Sequence, residues 1–178
     1  MKFFSDIRLL LTAIWLGAAV FFIFVAQSAF AVLPERELAG AMVNRTLAIV
    51  NYSGLVIALI LLATSLVGQA AVNRFWLWTE RIVLLVLAAA TAIGQFVIGW
   101  WVLLPNHQVA KMGKPIDQVA VDDPLRVQFN QMHEYSVWVL MAAMAAALIV
   151  FFIIANRKFS AKKKDNVVDF DPLKDFKV

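Results

Sequence analysis

The sequence predicts an all-α integral membrane protein. It is a four-helix bundle with both termini cytoplasmic and a fourth helix extended above the outer face. Three observations predict it. Hydrophobic residues make up 62% of the 178 residues and charged residues only 16%, whereas a soluble domain is nearer half apolar and a quarter charged. Four stretches, about 9–32, 47–72, 82–104 and 135–155, hold no Asp, Glu, Lys or Arg, and each reaches the ~20 residues needed to cross a bilayer as a helix. The basic residues are also unequally shared between the two sides that those stretches define.

The first stretch ends in Ala29-Phe30-Ala31, which resembles a signal-peptide cleavage site. Its apolar run is much longer than the ~7–15 residues of a signal core, so it reads as a span. A short external connection, 33–46, follows. Within it Pro34 and Glu35 suit the start of a helical turn, with Pro in the first turn and an acid near the positive end of the helix dipole. The second and third stretches are joined by a short internal connection, 68–81.

The connection at 105–134 is the one long loop. Asp123-Pro124 within it reads as an N-cap and first helical residue. Leu125, Phe129 and Met132 follow at helical spacing. The fourth helix is therefore expected to begin near Pro124 and to rise two to three turns above the membrane. Residues 1–158 form the transmembrane domain, and 159–178 are a polar cytoplasmic tail.

Four spans put both termini on one side. Eleven basic residues lie there: Lys2, Arg8, Arg74, Arg81, Arg157, Lys158, Lys162, Lys163, Lys164, Lys174 and Lys177. Five lie on the other: Arg36, Arg45, Lys111, Lys114 and Arg126. The positive-inside rule places the richer side in the cytoplasm, with the protein in a cell inner (plasma) membrane. Trp15, Trp76 and Trp78 then mark the inner interface, and Trp100, Trp101 and Trp138 the outer one.

Composition excludes several chemistries. Cysteine is absent, which removes disulfides, thiolate metal sites and iron–sulfur clusters. No basic run interleaved with aromatics suggests nucleic acid. Charge-free spans argue against proton pumps and voltage sensors, which place ionisable groups in the membrane. No spacing suggests a Ser–His–Asp set, and no glycine-rich phosphate loop is present, so no enzymatic activity is expected. Asn44-Arg45-Thr46 matches a glycosylation sequon.

Polar groups gather toward the outer half. Gln27, Asn51 and Gln95 lie ~6–14 Å below the outer ends of their spans at 1.5 Å per residue, and His133, Tyr135 and Ser136 enter from above. Facing inward, they would form a pocket for a quinone or lipid headgroup. The alternative is interhelical hydrogen bonding that fixes packing. His107 and His133, near Met112 and Met132, are the candidates for a copper or haem site. No resident cofactor is expected beyond bound lipid.

Small residues recur in three spans: Gly17-Ala18-Ala19, Ala88-Ala89-Ala90 with Ala92 and Gly94, and Ala142, Ala143, Ala145, Ala146 and Ala147. They permit close helix approach in lipid. Ordinary bundle packing explains them. The alternative is a partner face including Ala142, Ala143 and Ala146, with Lys162, Lys163 and Lys164 of the tail.

Several patterns occur together: Trp15-Leu16-Gly17 with Phe21 and Phe22, then Leu33-Pro34-Glu35-Arg36-Glu37-Leu38-Ala39-Gly40, then Phe129, His133 and Ser136. With the four-span layout they resemble the bacterial membrane family of unknown function (domain of unknown function 4149 type) that is similar to transmembrane protein 205. The resemblance covers roughly the first 155 residues. It implies a four-helix bundle, with His133 and Ser136 as matching polar positions. Where that family often carries an Asn shortly after the Ser, this chain has Val137, Trp138, Val139 and Leu140.

The functional expectation is a non-enzymatic accessory or structural subunit packed against a larger membrane complex. A small-solute or copper-handling protein is the alternative, and a haem- or quinone-binding redox anchor the third reading.

Overall fold

Long runs of Leu, Ile, Val, Ala and Phe cannot leave backbone polar groups unbonded in lipid, so they close their hydrogen bonds locally as helices. The computed structural model describes residues 2–67, 74–99 and 118–156. It contains α1 (Lys2–Val32), α2 (Arg36–Val67), α3 (Arg74–Ala92) and α4 (Pro124–Ala155). A π-helical segment, Ile93–Ile98, continues α3. All four are long and apolar enough to cross a membrane, so the chain is a multi-pass membrane protein.

The helices exceed the uncharged stretches. α2 starts at Arg36, eleven positions before the expected 47, and the expected internal connection at 68–81 is shortened because α3 starts at Arg74. The apolar pattern marks only the lipid-immersed length, whereas polar helix formers such as Arg36, Glu37 and Arg45 carry the helix beyond it. Only 33–35 separate α1 from α2. The Ala39 N–H donates to the Glu35 carbonyl at 3.1 Å, which makes Glu35 the turn into α2.

The start of α4 follows the sequence. Asp123 is extended (φ −63°, ψ 130°) and its side chain accepts from the Leu125 N–H at 2.8 Å, with Pro124 next. That satisfies one of the unpaired donors at a helix start.

Successive helices are antiparallel neighbours: α1 on α2, α2 on α3, α3 on α4, with α1 and α4 closing the ring. α1 and α3 are therefore diagonal. The centre holds Trp15, Ala19, Phe22, Val50, Ala58, Leu87, Ala90, Ala143, Ala146 and Ala147. A second apolar layer, Leu61, Leu84, Val150 and Ile154, lies nearer the start of α1. We call the end where α1 and α3 begin the basal end.

Large apolar residues cover the outside of every helix, among them Phe21, Phe24, Leu59, Leu85, Val137 and Phe152. Such a surface suits acyl chains rather than water. Ala143 and Ala146 are buried inside this chain's own core, so they face α4's neighbours in the bundle and are unavailable to a partner. Ala142 remains exposed.

Candidate functional site

Two polar layers cross the bundle. The basal layer is built on Arg8, the seventh residue of α1, and Glu80, the seventh of α3. Each stands about 9 Å inside its helix end at 1.5 Å per residue. Their side chains form an ion pair across the diagonal, 5% and 0% exposed as residues. Arg8 Nη2 also donates to the Leu61 carbonyl of α2 at 3.0 Å. One guanidinium thus joins three helices. A charged pair out of water persists only when its hydrogen bonds are made inside the protein.

Two further basal contacts involve α2. Arg81 Nε donates to Ser65 Oγ at 3.3 Å, and its Nη2 donates to the Ser65 carbonyl at 3.0 Å. Ser65 lies in the last turn of α2, where carbonyls have no intrahelical partner and the dipole end is negative. Arg81 therefore caps α2 from the neighbouring helix. Its guanidinium also lies over the Trp78 ring, 5.8 Å from the centroid.

The second layer is near the middle. Trp15, 2% exposed, donates from Nε1 to the Val50 carbonyl at 2.9 Å. Gly54 makes room for it: a Cβ there would stand 2.6 Å from Trp15 Nε1 and 2.8 Å from Thr91 Cγ2. Thr12 and Thr91 turn their hydroxyls onto their own helices, bonding the Arg8 and Leu87 carbonyls at 2.9 Å. Asn51, 5% exposed, packs on Gly94, whose added Cβ would be 3.2 Å from its amide nitrogen. Gly94 belongs to the π-helical segment, where the Gly99 N–H bonds the Gly94 carbonyl five residues back. Such segments are frequent at functional sites.

The sequence-derived site residues differ in burial. Asn51 is buried and Gln95 half-buried, Ser136 is half-buried, and Gln27, His133 and Tyr135 are exposed. The six do not close into one inward-facing layer, since helix rotation as well as depth decides which side chains meet. His107 and Lys162, Lys163 and Lys164 lie outside the described residues. Among the described residues no group of three or more His, Asp or Glu side chains could hold a metal ion.

Trp15 corrects its expected place in the inner aromatic belt, because it is a core residue with its N–H satisfied by backbone. Trp76, Trp78 and Trp138 are exposed. Sequence reasoning also missed the basal pair. Arg8 and Glu80 flank the uncharged stretches at positions 8 and 80, each within two residues of one, and that proximity was the available signal.

A family profile described as "Domain of unknown function (DUF4149)" matches residues 10–103. That is more than half of the chain. The chain belongs to the DUF4149 family. The matched region includes Trp15, Asn51, Gly54, Glu80 and Gly94, whereas Arg8 and all of α4 fall outside it. The DUF4149 match thus covers the central layer and one half of the basal ion pair. No curated protein and no solved structure matches the chain.

Proposed function

We propose that this DUF4149 protein is a non-enzymatic accessory or structural subunit that packs laterally against a larger membrane complex. In this reading it lies in a bacterial inner membrane with both termini cytoplasmic. The observation that carries it is an outward-open apolar groove of about 370 Å³ between α1 and α4, lined by Ala13, Leu16, Gly17, Val20, Leu148 and Phe151. Ala13 and Gly17 are one helical turn apart and exposed, the spacing at which small residues let a second membrane helix approach closely.

Polar side chains support the same reading. Arg8, Glu80, Arg81 and Trp15 join this chain's helices to one another, which gives a rigid body able to present a fixed face to a neighbour.

The test is extraction in a mild detergent, native sizing and identification of copurifying subunits. A stable heteromeric complex is expected, and Gly17→Leu, which fills the groove, should release it at least tenfold more readily. A clean monomer from the native membrane, or a complex indifferent to Gly17→Leu, overturns the proposal.

A further inference from the structure

The basal end holds a cation whose charge the described residues leave without a carboxylate. Glu80 is beside Arg81 in sequence, but its carboxylate pairs with Arg8 across the bundle. Arg81 has no Asp or Glu within ion-pair distance among the described residues. Its position is nonetheless fixed. Nε and Nη2 are held by Ser65, and the plane lies over Trp78. This leaves the Nη1 edge for a further acceptor. Arg81 is half-buried, and Trp76 and Trp78 beside it are exposed. Exposed Trp on a membrane helix sits at headgroup depth.

We propose that Arg81, with Trp78 beneath it and Arg74 about two turns away, is a binding site for the phosphate of an anionic phospholipid in the basal leaflet. Charge complementarity selects the lipid. A half-buried guanidinium held by neutral partners on two nitrogens still favours an anion at its remaining edge, and a planar, pre-oriented fork suits phosphate oxygens better than a mobile ammonium does. The chain's own carboxylate at this level is already engaged by Arg8. A phosphate tethered to acyl chains also reaches the site from the membrane side, where Trp78 is open.

The experiment uses the full chain in mild detergent. Phosphatidylglycerol and phosphatidylcholine of identical acyl chains are added in turn, and retained lipids are counted by native mass spectrometry. The wild type is expected to favour phosphatidylglycerol by about fivefold, the effect of one basic residue at a membrane surface. Arg81→Gln should abolish the preference, and Arg81→Lys should keep part of it. Trp78→Leu, at an exposed position, should lower it by about twofold through loss of the cation–π contact, and tests the site even if Arg81→Gln fails to fold. Equal retention of the two lipids by the wild type overturns the proposal, as does an undiminished preference in both Arg81→Gln and Trp78→Leu. Displacement of the lipid by millimolar inorganic phosphate would assign the site to free anion and overturn it too.

Discussion

Arg8 and Glu80 are 72 positions apart in the chain and meet inside the bundle. The energetic asymmetry of such a pair is large. Removing one partner leaves the other charge buried, at a cost of about 3–5 kcal/mol, whereas replacing both with apolar side chains is often neutral or better. Glu80→Ala is therefore expected to destabilise the bundle by about that amount, and the double change Arg8→Leu with Glu80→Leu should recover most of the loss. Reversible unfolding in mixed micelles measures both. Equal losses in the single and double variants would show that the two charges do not act as a pair. The sequence hid this contact for a physical reason. Charges at the ends of apolar stretches normally face water, and only the three-dimensional level of two helix starts reveals that these two face each other. Trp15 was misplaced similarly: a Trp near a span's end suits the interface, but Gly54 opens a slot that takes it into the core. Asn51 was legible as a membrane-embedded amide, and Gly94 as a small residue, but not their contact.

At the scale of the helix, close approach is set by single missing methyl groups. A Cβ on Gly54 would overlap the rigid Trp15 indole and the Thr91 methyl, neither of which can move without disturbing three helices. Gly54→Ala should cost about 1–3 kcal/mol by overpacking. Gly17→Ala, with nothing within 4 Å of the new atom, should stay within about 0.5 kcal/mol. Thermal unfolding of the two variants in one detergent makes the comparison, and equal shifts would refute the packing assignment. Helix number and the Asp123 cap were readable because hydropathy and capping are local properties. Helix ends were less so, since Arg36, Glu37 and Arg45 interrupt the apolar pattern yet lie within a helix. The π-helical turn at Ile93–Ile98 has no mark in composition, because it is defined by where the backbone hydrogen bonds close, as from the Gly99 N–H to the Gly94 carbonyl.

The described helices form a bundle with an apolar outside, and the sequence divides its basic residues unequally between the two sides. The eleven-to-five division of basic residues predicts which end is cytoplasmic. This chain has no cysteine, so single cysteines introduced into it report topology without background. With Asp6→Cys and Asp122→Cys, both at exposed positions, a membrane-impermeant maleimide applied to intact cells should label position 122 alone. Labelling of position 6 from outside would invert the assignment. Four-span architecture was legible because a bilayer imposes one length and one polarity on each crossing. The outward groove was not, because Ala13 and Gly17 line it with Leu148 and Phe151, far apart in the chain.

The diagonal contact also constrains biogenesis. As the nascent chain emerges, α1 brings Arg8 to the bilayer before the codon for Glu80 has been read. Until α3 arrives, that guanidinium must remain hydrated at the headgroups, holding the start of α1 shallow. Arrival of Glu80 supplies the carboxylate that Arg8 meets in the finished bundle. A ribosome-stalled chain that stops before Arg74 would therefore leave accessible the Arg8 guanidinium which the finished protein buries.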